Sequence, residues 1–133
     1  VTVYTHTDCI DILPTAIYGG KIDYYDTMPT VFQHSKINLN ITLKTIQTGI
    51  PLRAWDILGC GGFLLTNFQQ ELCDFFIPGE DFVYYESPAD AIEKAAYFLS
   101  HDRDRQEIAH NAFEKIAASH TFHHRVQSMF DII

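Results

Sequence analysis

Segments with the features of β-strands alternate along this chain with segments that have the features of helices. The clearest strands are residues 37–41, 63–66 and 82–85, and helix-like segments separate them. Residues 63–66 form a short apolar run bounded by glycines and by Asn67, which is typical of a strand buried on both faces. Strands that alternate with helices form βαβ units around a parallel sheet. The order of the segments therefore predicts an α/β fold with mostly central strands and ligands at their carboxyl ends.

Other segments also show the spacing and end signals of regular structure. Residues 1–5 are β-rich, and residues 17–22 contain a Gly-Gly turn followed by a possible short strand. Thr27 and Ser87 are candidate helix N-caps, and a proline follows each within the first turn. Helices are expected over residues 27–34, 52–59 and 69–76, and from Ser87, from near Asp102 and from near Thr121.

Three helices follow one another at the C-terminal end with no strand between them, and each has an apolar face in sequence. The expected faces consist, in chain order, of Ile92, Ala95, Ala96 and Leu99, then of Ile108, Ala109, Ala112, Phe113 and Ile116, and finally of Phe122, Val126, Met129 and Phe130. Such faces need a partner, so these helices are expected to cover the sheet or to dock on something outside these residues.

The charge of the chain restricts its ligands. Lys and Arg number 9 against 17 Asp and Glu, so the formal net charge is -8. Nucleic acids and anionic membranes are bound by clustered Lys and Arg, and this balance argues against both as partners. An anionic ligand would have to be held locally, by a few basic groups or by backbone N–H groups at a helix start.

The cysteines and the apolar runs bear on compartment and domain organisation. Cys9, Cys60 and Cys73 are odd in number and form no C-x-x-C pair, so reduced thiols of a cytoplasmic protein are expected. No apolar run approaches the ~18 residues of a transmembrane helix, and no signal-peptide pattern is present.

The 133 residues suit one domain. Because they begin without Met in a strand-like segment, a domain cut from a longer protein is expected.

Four short motifs occur in order along the chain: Leu39-Asn40 in a strand, Arg53-x-x-Asp56 at a helix start, Gly61-Gly62 at a strand entry, and the final His-Thr-aromatic-x-His-Arg over residues 120–125. From about Ile17 onward the chain resembles the C-terminal domain of retaining glycosyltransferases with two Rossmann-like domains, the GT-B fold. Within that group it is most similar to the spore-maturation-protein-like branch of the glycosyl transferases group 1.

The resemblance implies a function that a fragment would perform only in part. The C-terminal domain of these bacterial-type enzymes binds the nucleotide of a nucleotide-diphospho-sugar, and a separate N-terminal domain holds the acceptor. Residues 1–133 would then be a single Rossmann-like donor-binding domain that lacks the acceptor domain. The implied reaction transfers a hexose-type sugar from this donor to an acceptor, with no other cofactor and no metal. A different class of function also fits, namely a non-catalytic Rossmann-like binding or scaffold domain that has lost donor chemistry.

Two residues at the start of helix 52–59 carry most of the implied chemistry. The resemblance places Asp56 on the ribose, because one carboxylate can accept from two vicinal hydroxyls. Alternatively, Asp56 only complements the dipole of the helix. Arg53 is the implied catalytic residue, a clamp on the leaving diphosphate beside N-terminal N–H groups. Alternatively, Arg53 forms an ion pair with Asp56 that stabilises the helix start.

The remaining implied donor-site positions are Gly20, Ile22 and Thr48. Gly20 and Ile22 match a loop that contacts the base, where a glycine permits close approach of the backbone; the alternative is an ordinary turn. Thr48 occupies the position of the first acidic residue of the family's E-x7-E pattern. Since Thr cannot supply a carboxylate, this departure favours the non-catalytic alternative.

His120, His123 and His124 form an H-x-x-H-H pattern near the C-terminal end. Such spacing on a helix makes zinc a candidate ligand, but no Cys or carboxylate is spaced to complete a site. The segment is better interpreted as a polar hinge at the entry to the last helix, with Thr121 as a cap and Arg125 paired to a neighbour.

Overall fold

The computed structural model describes residues 1–4, 15–43, 45, 46 and 48–132, and within them it contains two parallel sheets. Strands β1 (Thr2–Tyr4) and β2 (Ile17–Gly20) pair to form the smaller sheet. Strands β3 (Asn38–Asn40), β4 (Leu64–Asn67) and β5 (Val83–Tyr85) form the larger sheet in the order β3-β4-β5. The predicted α/β fold with parallel, Rossmann-like strands is confirmed.

The described residues also form five α-helices and one short 3-10 helix. They are α1 (Met28–His34), α2 (Leu52–Gly59), the 3-10 helix (Gln70–Asp74), α3 (Pro88–Ser100), α4 (Asp102–Ser119) and α5 (Phe122–Asp131). Residues 69–76, expected to be helical, thus contain a 3-10 helix that is shorter than the predicted segment.

Strand β4 is the central strand of the larger sheet, which explains the continuous apolar run of residues 63–65. Leu64 faces one hydrophobic cluster together with residues of α1, α2 and α4. Phe63 and Leu65 face a second cluster on the opposite side, with Val83 of β5 and Ile108 of α4. Burial of each large side chain contributes about 1.5–3 kcal/mol relative to exposure, so the sheet is stabilised from both faces.

Strand β3 lies at an edge of its sheet, and the expectation of mostly central strands holds only for β4. The alternation in residues 37–41 suggests buried apolar residues, yet Asn38 and Asn40 are buried and Leu39 is 55% exposed. The amide of Asn38 donates to the carbonyl oxygens of Phe32 (2.9 Å) and Phe63 (3.3 Å). Because these hydrogen bonds satisfy the buried amide, burial of a polar side chain is tolerated here.

The glycines of the chain play two different structural roles. Gly62 allows close packing, since a Cβ there would lie 2.8 Å from the carbonyl oxygen of Phe32 and 2.8 Å from Nδ2 of Asn38. Gly20 ends β2 with φ +73, a left-handed conformation that favours glycine. The predicted turn followed by a strand in residues 17–22 is therefore wrong, because the strand comes first and includes both glycines.

Helix α3 is confirmed, but its predicted apolar face is wrong. The hydroxyl of Ser87 accepts from the N–H of Asp90, as a cap should. Ala95 and Phe98 pack on the core, whereas Ile92 is 72% exposed and Ala96 and Leu99 are also exposed. The helix is rotated relative to the prediction, and Phe98 packs against Phe63 just before β4, with tilted rings whose centroids lie 4.7 Å apart.

Helix α4 follows its predicted pattern and α5 does not. Ile108, Ala109, Ala112 and Ile116 are buried, although Phe113 is partly exposed. The predicted apolar residues of α5 are all exposed, namely Phe122, Val126, Met129 and Phe130. Among the described residues, no other helix or strand packs extensively along α5, so an amphipathic sequence here has no buried face.

Cys60 and Cys73 are free thiols, and Cys9 lies outside the described residues. No helix within the described ranges combines the length and apolarity that crossing a membrane requires.

Candidate functional site

A polar network joins the carboxyl ends of β3 and β4. Nδ2 of Asn40 donates to the hydroxyls of Thr66 (3.1 Å) and Thr42 (3.3 Å). The backbone N–H of Thr42 donates to Oδ1 of Asn67 (2.8 Å), and Nδ2 of Asn67 donates back to the carbonyl of Thr42 (3.1 Å). This reciprocal pair fixes the start of the loop after β3. The strand ends therefore present an ordered floor where parallel sheets bind ligands.

Gln69 extends this network and leaves one acceptor unused. Its Nε2 donates to the hydroxyl of Thr42, and its Oε1 is buried without a hydrogen-bond partner among the described residues. The hydroxyl of Tyr85 covers the network by donating to the carbonyl of Asn40 at 3.4 Å. An unsatisfied buried acceptor costs about 1–3 kcal/mol, so Oε1 of Gln69 is a polar atom that the described residues leave unpaired beneath this edge.

Asp56 lies in α2 and is bound by a tyrosine distant in sequence. The hydroxyl of Tyr24 donates to Oδ2 of Asp56 at 2.7 Å. This hydrogen bond, more than any other cause, raises the pKa of Tyr24, because the tyrosinate would lose it and would face the carboxylate. Asp56 is half-buried, and no hydrogen bond occupies its Oδ1 within the described part of the chain. One carboxylate oxygen is thus fixed by the protein and the other is open.

Arg53 is exposed at the start of the same helix. The ion pair considered between Arg53 and Asp56 does not form among the described residues. Arg53 is nevertheless close enough for its charge to act on Tyr24, where it opposes the effect of Asp56. Helix α2 begins after Pro51 with no side-chain cap and no acidic residue in its first turn. Its first N–H groups and the guanidinium therefore form an uncompensated positive end.

The loop after β2 reaches this helix through Tyr24. Oδ1 of Asp23 accepts from the backbone N–H groups of Tyr25 (2.8 Å) and Asp26 (2.7 Å), which holds the turn in shape. Gly20 and Ile22 immediately precede this turn, so the Tyr24–Asp56 hydrogen bond brings the predicted base loop to the predicted ribose carboxylate. The sequence pattern did not predict the hydrogen bond between Tyr24 and Asp56, because the partners are 32 residues apart.

Thr48 is exposed, and a carboxylate from another element lies beside it. The backbone N–H of Gly49, the next residue, donates to Oε2 of Glu71 in the 3-10 helix. Sequence reasoning missed Glu71, since nothing in its local pattern distinguishes it from a surface residue. The structure thus places an acidic group next to the position where the expected acidic residue is absent.

The three histidines of the H-x-x-H-H pattern are divided among different contacts. Nδ1 of His124 accepts from the N–H of Thr121 at 3.3 Å, and the hydroxyl of Thr121 accepts from the N–H of His124 at 3.5 Å. Arg125 contacts His120 at 3.3 Å. The predicted cap by Thr121 and the predicted pairing of Arg125 to a neighbour are confirmed. No group of three potential metal ligands occurs within the described ranges.

A cavity of about 490 Å3 lies at the opposite end of the sheet, before β3 and β4. Its cations already have protein partners. Arg105 donates through Nη1 to the carbonyl of Phe98 (2.7 Å) and to Asp102 (2.7 Å), and Lys36 lies 3.7 Å from the same Asp102. The ring of His34 bonds the carbonyl of Thr30 at the end of α1. These side chains stabilise helix ends and the packing of α4, so the carboxyl edge remains the better candidate site.

Comparison with known proteins bears directly on this site. A family model described as glycosyl transferase-like matches residues 7–131, which is nearly the whole chain. No curated protein matches the chain, and no solved structure matches it. A parallel α/β sheet, a polar carboxyl edge and a match of this extent agree with one another, and the chain belongs to the glycosyl transferase-like family.

Proposed function

We propose that residues 1–133 form the donor-binding domain of a glycosyltransferase and that a nucleotide-diphospho-sugar binds at the carboxyl edge of the strands. The observation that carries this proposal is the hydrogen bond between Tyr24 and Asp56, because it joins the loop after β2 to the start of α2. A nucleotide that contacts both elements would place its base against the loop after β2 and its ribose beside Asp56. Family membership supplies the reaction class.

The roles of the residues follow from their chemistry. Oδ1 of Asp56 would accept from the ribose hydroxyls, while Tyr24 holds Oδ2. The turn containing Gly20 and Ile22 would contact the base through its backbone. Arg53 would stabilise the leaving diphosphate together with the first N–H groups of α2. No metal is required for this charge stabilisation.

The sugar end of the donor would lie near Thr48. Thr48 has no carboxylate, but Glu71 is bound to the adjacent Gly49 N–H and can present one at the same edge. We assign this part of the edge to a hexose-type sugar.

Transfer itself would need the acceptor domain of a longer, bacterial-type cytoplasmic enzyme. Positioning of two reactants contributes about 7–11 kcal/mol of a barrier, and residues 1–133 would hold only one of them. We therefore expect these residues alone to bind donor without turning it over at a useful rate.

The second candidate is a non-catalytic binding or scaffold domain of the same fold. The observation that favours it is Thr48, which lacks the expected carboxylate. The two candidates differ in nucleotide binding, since a scaffold that has lost donor chemistry has no reason to bind a nucleoside diphosphate.

Calorimetry with UDP, GDP, ADP and CMP tests the proposal. One of these nucleotides is expected to bind, and Asp56→Asn is expected to weaken it about ten- to a hundredfold, since a charge-assisted hydrogen bond contributes about 1.5–3 kcal/mol. Asp74→Asn, an exposed carboxylate in the 3-10 helix, is the matched control and should bind as the parent does. If no nucleotide binds, the scaffold candidate is correct; if affinity is unchanged while stability falls, Asp56 is structural.

A further inference from the structure

The turn between α4 and α5 contains two histidines that each accept a hydrogen bond through Nδ1. Nη2 of Arg125 lies 3.3 Å from Nδ1 of His120, and the backbone N–H of Thr121 donates to Nδ1 of His124 at 3.3 Å. A guanidinium only donates, so Nδ1 of His120 carries a lone pair. Nδ1 of His124 differs, because it also lies 2.7 Å from the hydroxyl of Thr121, which can donate or accept. Protonation of His120 therefore replaces the lone pair with an N–H and removes its bond to Arg125, whereas His124 can keep a bond to Thr121 in either state.

Aromatic rings from two other elements surround His120. Its centroid lies 5.5 Å from those of Trp55 in α2 and Phe75, and 6.2 Å from that of Phe76. The guanidinium carbon of Arg125 lies 5.6 Å from the ring centroid of Trp55 and 5.7 Å from that of Phe75. Because the apolar side chains of α5 are exposed, these ring contacts of Arg125 are a main attachment of α5 to the rest of the domain.

The titratable groups that act on His120 all belong to α5, and each of them is cationic when protonated. Arg125 and His124, both in α5, are the titratable groups that act on its ring. Helix α2 and residues 70–76 contribute the uncharged rings of Trp55, Phe75 and Phe76. No carboxylate among the described residues offsets a charge on the imidazole. A protonated His120 would therefore place two cations side by side in a partly desolvated cluster.

We propose that the α4–α5 junction is a pH-sensitive joint, in which the neutral ring of His120 holds Arg125 of α5 against Trp55 and Phe75 and protonation of that ring releases it. Burial, followed by the charges of Arg125 and His124, lowers the pKa of His120. The released joint therefore binds more protons than the attached one. Attachment is complete above the ordinary histidine pKa of about 6.5 and weakens as the pH falls below it. The orientation of the exposed apolar residues of α5 thus becomes pH-dependent.

Trp55 is the single tryptophan of the chain and lies in the joint. Its fluorescence therefore reports on whether Arg125 and His120 remain beside its ring. Titration of the 133-residue chain from about pH 8 to about pH 5, the range in which histidine changes charge, is expected to change the emission in one step with its midpoint below 6.5. NMR provides the second readout. Side-chain protons of Arg125 should show a ring-current shift at high pH that disappears with the same midpoint.

Variants with a non-titrating side chain distinguish release of α5 from simple quenching of the Trp55 fluorescence. His120→Asn places an amide oxygen near the position of Nδ1, so this variant should keep the Arg125 shift at both ends of the titration and lose the step. His110→Asn, an exposed histidine of α4, is the matched control and should show the same step as the parent. His120→Gln, a second non-titrating variant, should also lose the step, which keeps the test valid if His120→Asn folds poorly. The proposal is overturned if the Arg125 shift is unchanged by acidification of the parent, or if the step persists without His120.

Discussion

Helices α4 and α5 follow one another and both carry apolar residues at helical spacing, yet only α4 uses them for packing. Helix α4 packs against α2 and α3 and buries Ile108, Ala112 and Ile116. The apolar residues of α5 remain exposed, Phe122 at 85% and Phe130 at 68%. An amphipathic pattern thus shows that a helix has a face able to pack, and the neighbouring elements determine whether it does so.

The two helices also differ in how their polar side chains attach them. Lys115 of α4 pairs with Asp81, which is 1% exposed and also accepts from the N–H of Ile77 at 2.7 Å. Helix α5 is attached near its start by Arg125 against two rings and by the cap formed by Thr121 and His124. Loss of a contact in α4 should therefore affect the whole domain, and loss of one in α5 should affect α5 alone.

The largest difference is expected from truncation of one apolar side chain in each helix. Ile116→Ala should lower the free energy of unfolding by about 2–5 kcal/mol, because it leaves a cavity beside α2. Val126→Ala in α5 should change it by less than about 0.5 kcal/mol, since that side chain is exposed. Urea denaturation followed by Trp55 fluorescence measures both. Equal losses in the two variants would show that α5 is packed as firmly as α4.

A smaller difference is expected from the polar attachment of α4. Lys115→Met leaves the buried carboxylate of Asp81 without its cation, and we expect a loss of about 1–3 kcal/mol, reduced from the value for a fully buried pair because Lys115 is 39% exposed. Lys36→Met is the matched control. Its pair with Asp102 is 3.7 Å long and exposed on both sides, so the change in unfolding free energy should be below about 1 kcal/mol. Similar losses in the two variants would contradict a structural role for Asp81.

The smallest effects are expected from the helix caps. Ser87→Ala at the start of α3 should lower the free energy of unfolding by about 1 kcal/mol, because α3 packs on the sheet. Thr121→Ala should instead reduce the helical signal of α5 in far-UV circular dichroism and change global stability by less than about 0.5 kcal/mol. Ser128→Ala, an exposed position within α5, is the control and should not reduce helicity. A global loss in Thr121→Ala equal to that in Ser87→Ala would show that α5 unfolds together with the rest of the domain.

Part of the candidate site could be predicted from the sequence. The contacts that could not be predicted join residues far apart in the chain. Asp56 and Arg53 could be named as candidates because the short motifs that carry the family resemblance are local in sequence. The hydrogen bond from Tyr24 to Asp56 spans 32 residues, and the bond from Gly49 to Glu71 spans 22. Pairs so distant in sequence leave no periodic signal. Their chemistry becomes visible only when the chain has folded.

By itself, the sequence determined the kinds and order of most elements, residues 17–22 and 69–76 excepted, because strand and helix signals depend on neighbouring residues and on caps such as Ser87. It also indicated that β4 is buried on both faces, since residues 63–65 form a continuous apolar run at its start. The tertiary structure alone decided which side of α3 faces the sheet, that Leu39 is exposed while Asn38 is buried, and that α5 has no buried face. The physical reason is that hydrophobic burial is non-directional. An apolar residue stabilises the fold only where another element covers it, and which element covers it is a property of the whole chain.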